Sequence, residues 1–490
     1  MGGTDRDVTP PTGEDDGGRP QVGLIPLASP VGRLVVTTTV LGSAVAQLTA
    51  TVVNVALPVL ATDLDASSSQ QQWVINAYLL TLASLILIGG SLGDRFGRVF
   101  VYRVGVVWFG LASLACAVVP TIELLIVARL FQGMGGALLT PGSLAIIEAT
   151  LRPADRSQGV GQWSGLSGLA SAGGPVVGGL LVDLSWRWVF VINIPVAMVV
   201  VLLSRGVPES RDRSAAAAPL DVVGALLAAS VLGGVSFALI QGGADGLDGP
   251  NSVALAVAVV ALAGLLVYER RQPNPMVPLD LFANRAFSAA NLITLLVYGG
   301  MGVVFFLLSL QLQVTLGWSP LAAGAALLPV TFLMLVLSPR SGALAQRIGP
   351  RAPLTVGPLV IAAGMLWLST VGPGDRYATA VLPAVVVFGL GLSLSVAPVT
   401  STALGTVPAR RSGAASGFNN AVARTGQLLA VAAIPPLAGL TGDALSDPGQ
   451  LGAGYPQATR WGALLVAAGG VAAAAMLRSD DLDRTAAPDV

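Results

Sequence analysis

The chain has 490 residues, of which 53% are hydrophobic and 11% charged, with zero net charge and a mean hydropathy of +0.76. An ordinary soluble domain carries about 25% charged residues; the composition therefore excludes a soluble enzyme, a secreted domain, a coiled coil and a disordered protein, and offers no basic field to nucleic acid. All 26 basic residues are Arg, His is absent and Cys116 is the single cysteine, which removes histidine catalysis, lysine Schiff-base chemistry and intrachain disulfides.

Residues 1–30 are polar and rich in Gly, Pro and Asp, and are expected to form a disordered tail with no cleavable signal sequence. A bilayer core of about 30 Å needs roughly 20 apolar residues per helix. Such runs fall at 34–61, 73–92, 100–119, 122–148, 159–182, 188–205, 220–241, 252–268, 287–313, 320–339, 353–372, 380–405, 414–439 and 459–477. The expected fold is an all-α polytopic membrane protein with 14 transmembrane helices. With the N-terminus placed in the cytoplasm and the spans alternating, 21 Arg lie in inside segments, 3 lie outside, and Arg129 and Arg424 lie within spans. That asymmetry predicts cytoplasmic N- and C-termini.

The chain repeats itself. Gly90-Ser-Leu-Gly-Asp94-Arg95-Phe-Gly97-Arg98, read as a loop after span 2, matches Gly342-Ala-Leu-Ala-Gln346-Arg347-Ile-Gly349-Pro-Arg351 after span 10. Phe131 and Pro141 of span 4 correspond to Phe388 and Pro398 of span 12, and Pro153 and Arg156 to Pro408 and Arg411. Two related six-helix bundles are expected at 31–206 and 271–478, with a two-helix insert at 207–270 and a polar tail at 479–490. Repeated halves with a cavity between them are a transporter architecture.

Four segments carry a specific resemblance. They are Thr51-Val-Val-Asn54-Val-Ala-Leu-Pro58, the Gly90–Arg98 signature, Arg129-Leu-Phe-Gln132-Gly133-Met-Gly135, and Gly174-Pro175-Val-Val-Gly178-Gly179 followed by Trp186-Arg187-Trp188-Val-Phe190-Val-Ile-Asn193-Ile-Pro195. In that order the chain resembles the major facilitator superfamily, and within it the fourteen-helix drug:proton antiporters of the QacA/EmrB type. The resemblance implies a bacterial plasma-membrane transporter, a monomer without cofactors or metals, whose partners are a small-molecule substrate, protons and the lipid bilayer. It assigns Gly90, Asp94, Arg95, Gly97 and Arg98 to gating, Asp94 meeting the start of span 13 near Ser412–Gly413. Gly174, Pro175, Gly178 and Gly179 form its antiporter motif at the contact between halves, and the Arg matching Arg129 is tied to proton coupling.

The residues carry readings of their own. A charge at Arg129 is too costly to face lipid, so it should face the bundle interior, although its side chain has the length to reach the outer headgroups. Arg424 is deeper, beside Asn419 and Asn420. Small residues at Gly165, Gly168, Ala172, Gly178 and Gly179 suit close helix packing. Trp73, Tyr78, Tyr298, Phe305 and Phe306 either line a substrate cavity or serve as interfacial belt and core. Family members commonly carry an Asp where this chain has Thr49, and no other carboxylate replaces it at mid-membrane. Thr49, Asn54, Tyr78, Gln132, Asn419, Asn420 and Arg424 are the expected cavity residues. With Arg and no carboxylate there, neutral or anionic cargo is favoured over lipophilic cations. Coupling is left to Arg129 and Glu148 with Asp94, to a protonatable substrate, or to no proton at all. Export of hydrophobic small molecules is the leading expectation; a lipid or metabolite exporter of the same fold and a non-transporting membrane sensor are the alternatives. The usual catalytic groups of an enzyme are missing.

Overall fold

A computed structural model describes residues 25–211, 220–246, 249–272, 279–407 and 412–478. Each of the fourteen apolar runs corresponds to a helix or a closely joined pair. They are α1 (Pro30–Asp63), α2 (Ser68–Phe96), α3 (Arg98–Val118), α4 (Ile122–Thr150), α5 (Pro153–Val182), α6 (Trp188–Ser204), α7 (Val222–Asp245) and α8 (Pro250–Arg271). There follow α9 (Arg285–Thr315), α10 (Pro320–Ile348), α11 (Arg351–Leu368), α12 (Tyr377–Gly405), α13 (Ser412–Leu437) and α14 (Pro448–Met476). Among the described residues, twelve are long and apolar enough to cross a membrane. The other two are α6, which is shorter, and α13, where Asn419, Asn420, Arg424 and Gln427 interrupt the apolar run.

Polar residues at the interface start the helices. Ser29, Thr121, Asp221, Asn284, Ser319 and Asp447 cap their helices through side-chain oxygens, and Ser67 forms a capping box with Gln70. Proline opens α1, α5, α8, α10 and α14, where its missing N–H costs nothing. Residues 25–29, expected in the tail, are instead pinned to the α4–α5 corner. The Ile25 N–H donates to Thr150 O (3.4 Å), and the Leu27 N–H donates to Asp155 Oδ2 (2.8 Å).

The repeat predicted from sequence is a repeat of packing. In the first half α1 packs on α5, α2 on α4, and α3 on α4 and α6; in the second, α9 packs on α13, α10 on α12, and α11 on α12 and α14. Gly105 of α3 lets Leu139 and Gly135 of α4 approach, and Gly357 of α11, at the same offset as the signature pair, admits Gly391 and Leu394 of α12. The halves meet at α2–α13 and α5–α10, two seams related by the same correspondence. The inserted α7 lies across the α2–α13 seam, where Trp73 meets Phe237 at 6.4 Å, and α8 packs outside α7 with its apolar side chains exposed.

The signature segment differs from the expected loop. Helix α2 runs through Phe96 and α10 through Ile348, so the break is one residue, Gly97, in the first copy and two, Gly349 and Pro350, in the second, with a glycine of positive φ opening each. Gly97 has φ +115° and Gly349 φ +82°, conformations that L side chains rarely adopt. Pro408 and Arg411, the last pair of the predicted repeat, lie outside the described residues.

Candidate functional site

A cavity of about 290 Å³ lies between the halves. Its walls come from α1, α2, α4 and α5 on one side and α9, α10, α12 and α13 on the other. Apolar and aromatic surface dominates, with Leu79, Trp163, Tyr298, Met301, Phe305 and Val396 among the lining side chains. Arg424 is the only charged side chain on the wall; no Asp or Glu lines the cavity among the described residues. The Arg424 guanidinium is buried and donates to Gln47 Oε1 of α1 and to Gln427 Oε1 (3.3 Å), two neutral partners. Asn54 lies two turns along α1 from Gln47; its Nδ2 donates to Ala50 O (3.3 Å), and its Oδ1 is buried without a hydrogen-bond partner among the described residues.

The halves are joined at the face opposite the Gly90–Arg98 segment. The Ser68 N–H donates to Gly442 O (2.8 Å), Gln71 Nε2 to Ser446 Oγ (2.9 Å) and Gln313 Nε2 to Val55 O (3.0 Å). The α5 motif belongs to this closure. A Cβ on Gly179 would strike Pro320 and Leu321 of α10, one on Gly324 would strike the Pro175 carbonyl, and Gly174 and Gly178 seat Thr51 and Val52 of α1. Toward the other face, by contrast, Gly161, Gly165 and Gly168 look into open space. The close packing expected of Gly165 and Gly168 is therefore not made here, while that of Gly178 and Gly179 is; the Ala172 side chain lies outside the described residues.

A second cavity of about 140 Å³ lies on that more open side, lined by Gly90, Asp94, Arg98, Pro141 and Glu148 from the first half and Ser416, Gly417 and Asn420 from α13. It shares Leu144, Trp163, Ser416 and Asn420 with the central cavity, so the two are contiguous. Asp94 and Arg98 form an i,i+4 ion pair at 2.8 Å, and Glu148 lies within Coulombic reach of Arg98 and Arg156. Arg95 turns aside and stacks 5.5 Å from the Phe96 ring. Ser412 and Gly413, the expected partners of Asp94, open α13, and their surroundings lie outside the described residues. Glu209 anchors the break at Gly97. Its carboxylate accepts from the backbone N–H groups of Val99 and Phe100, both at 2.9 Å, and so caps the start of α3.

Arg129 faces inward, but into the first bundle and not into the cavity. It is 1% exposed, donates from Nε to Val74 O (2.9 Å) and from Nη1 to Gln132 Oε1, and lies 4.4 Å from the Tyr78 ring centroid. Gln132 Nε2 donates to Ser113 Oγ (2.7 Å), which also accepts from Asn193 Nδ2 (3.2 Å), and Thr49 Oγ1 donates to Asn193 Oδ1 (3.1 Å). This is a neutral relay around one buried charge. Reaching headgroups is not an option this side chain takes, because it is enclosed within the bundle, with Nε and Nη1 bonded there and the Tyr78 ring beside it.

Four expected cavity residues therefore belong elsewhere. Thr49, Tyr78 and Gln132 are consumed by the Arg129 network. Asn419 is spent on the α9–α13 contact, donating to Asn291 Oδ1 (3.1 Å) and Thr294 Oγ1 (2.9 Å). Asn54, Asn420 and Arg424 do line the cavity. Arg129 and Glu148 are 19 residues apart on α4, about 28 Å at 1.5 Å per residue, and are not one site. Of the aromatic residues, Tyr298 and Phe305 reach the cavity, Trp73 packs on Phe237, and Phe306 is core. The motif after α5 is a corner brace, with Trp186 Nε1 donating to Asp63 Oδ2 (2.7 Å) and Arg187 paired to the same oxygen (3.1 Å). Sequence reading missed Gln47, Trp163, Gln427 and Glu209. The two glutamines had a signal, being lone amides within apolar spans.

Comparison with known proteins agrees with this geometry. The sequence pattern of the Major Facilitator Superfamily matches residues 39–431. The chain is 35% identical over 412 residues to the tetracenomycin C resistance and export protein of Streptomyces glaucescens, covering 83% of this chain and 76% of that protein. It is 36% identical over 412 residues to a puromycin resistance protein of Streptomyces alboniger, covering 82% and 81% respectively. A bacterial homologue of the human lysosomal transporter Spinster superposes with a TM-score of 0.66 at 16% identity, over 94% of this chain and 99% of that one. A D-xylose–proton symporter gives 0.61 at 16% identity, over 89% and 97%. With two six-helix halves packed alike around a shared cavity, and with the superfamily pattern running through most of its length, the chain belongs to the Major Facilitator Superfamily.

Proposed function

We propose that this protein is a secondary active transporter that exports hydrophobic small molecules, neutral or anionic, from a bacterial cytoplasm in exchange for protons. The Arg-rich face is cytoplasmic, both termini lie there, and the protein works as a monomer in the plasma membrane. Residues 31–206 and 271–478 are the two moving bundles, and 207–270 is the insert. In this reading the structure is inward-facing, since the closed face is the Arg-poor one. One observation carries the reading: a mostly apolar cavity between repeated halves, with a single guanidinium and no carboxylate on its wall among the described residues. The resistance and export relatives support drugs or antibiotics as the cargo.

The cycle we propose is built on this geometry. Substrate reaches the cavity from the cytoplasm, past Asp94, Arg98 and Glu148, and is held against Tyr298, Phe305 and Trp163. The halves then rock, opening the Gly179–Leu321 and Gly324–Pro175 contacts and closing the Asp94 end on α13. Glu148 and Asp94 are the carboxylates nearest the substrate path and carry the exchanged proton. Arg129 supports coupling from a distance by fixing α2, α4 and α6 as one unit. The test is drug accumulation in cells expressing the chain. Expression should lower accumulation of hydrophobic antibiotics, and a protonophore should restore it. Unchanged accumulation, with the protein present in the membrane, would overturn the proposal.

A further inference from the structure

The Arg424–Gln47 bond crosses from one half to the other at the cavity itself. It joins the one charge on the cavity wall among the described residues to a neutral amide, a weak partner for a guanidinium that prefers a bidentate carboxylate. Asn54, 6% exposed and on the same wall, has an acceptor atom without a donor among the described residues. Gln47 and Asn54 are seven residues apart on one face of α1, about 10 Å. The wall near them supplies the aromatic rings of Trp163, Tyr298 and Phe305.

We infer that the cavity binds aromatic acids carrying a distal hydroxyl: the acid takes Arg424 from Gln47, and the hydroxyl donates to Asn54 Oδ1. This deepens the export reading and rests on it. Gln47 holds the place of the acid when the cavity is empty. Binding of an acid exchanges a bond between halves for a bond to substrate, so charge recognition and release of the bundles are one event. A neutral compound of the same shape fits the apolar wall but gains no charge-assisted bond, so the rocking halves break the Arg424–Gln47 tie without a replacement. The volume of about 290 Å³ suits a ligand of two or three fused rings.

The probes are 6-hydroxy-2-naphthoate and its methyl ester, with binding measured by equilibrium dialysis against the full-length protein in lipid nanodiscs. Wild type should bind the acid about tenfold more tightly than the ester. Arg424→Gln should abolish that preference while leaving ester binding within about twofold. Gln47→Ala should tighten acid binding and leave the ester unchanged, because a competitor for Arg424 has been removed. An acid preference that survives Arg424→Gln, or acid binding weakened by Gln47→Ala, overturns the inference while the cavity remains a substrate site. If wild type binds neither compound, the cavity reading falls with it. Melting curves of each variant report its folding, and Arg424→Lys, which keeps the charge without the fork, should retain part of the preference if the acid is the partner.

Discussion

Arg129 and Arg424 show how one residue type does two jobs. Arg129 is enclosed by the Tyr78 ring, a carbonyl and Gln132. A desolvated cation–π contact contributes about 2 kcal/mol, and hydrogen bonds from a charged donor about 1.5–3 kcal/mol each. Arg129→Ala should therefore destabilise the first bundle by about 3–5 kcal/mol, read as a lower melting temperature in detergent. Arg129→Lys should recover only part of the loss, since an ammonium cannot reproduce the fork. Arg424 makes one cross-half bond and one bond within α13, and its face is open to the cavity. Glu148 should be the residue on which proton exchange depends. In proteoliposomes Glu148→Gln should cut pH-driven export by about tenfold or more while equilibrium counterflow continues. Equal loss of both activities would assign Glu148 to the fold and not to coupling.

At the scale of the helix, the glycines decide what can close. Gly179 and Gly324 sit where α5 and α10 backbones touch, so a branched side chain there pushes the halves apart. Overpacking costs about 1–3 kcal/mol; Gly179→Val and Gly324→Val should move the population toward the state open at the Arg-poor face. Spin-label distances between α2 and α13 at that face should lengthen, and an unchanged distribution would show that the α5 motif does not set the closure. Gly97 is limited differently. Its φ of +115° and the Glu209 carboxylate pressed against it make any Cβ strained. Glu209→Gln keeps the shape but loses the anion at the start of α3, and should cost about 1 kcal/mol. Helix positions were legible in the sequence because apolar length is the dominant signal in a membrane. Helix ends were not: Gly90–Phe96 reads as a polar loop, yet it continues α2, since Gly and charged residues at the interface still satisfy their backbone within the helix.

At the scale of the molecule, the repeat was legible because Gly97 and Gly349 perform the same backbone task, and equal tasks preserve equal spacing. The site was only half legible. Asn54, Asn420 and Arg424 were expected on the cavity and are there. Thr49, Tyr78, Gln132 and Asn419 lie on spans of the same kind, but sequence does not say which face of a buried helix looks at substrate and which at a neighbour. In a soluble protein polarity separates the two; within a bundle both are enclosed, and hydrogen bonding between helices uses the same residue types as binding. The missing carboxylate at Thr49 was legible and has a structural counterpart, a neutral relay from Thr49 through Asn193, Ser113 and Gln132 to Arg129.

If Arg424 sets the cargo, neutral or acidic compounds are exchanged for protons and lipophilic cations are not. The most direct test is proton movement in proteoliposomes with an imposed inside-acid gradient, adding lipophilic cations, neutral hydrophobic drugs and aromatic acids in turn. Neutral compounds and aromatic acids should collapse the gradient, and cations should not. If cations collapse it best, a carboxylate from the Asp94–Glu148 region must reach the cargo, and the charge argument built on Arg424 is wrong.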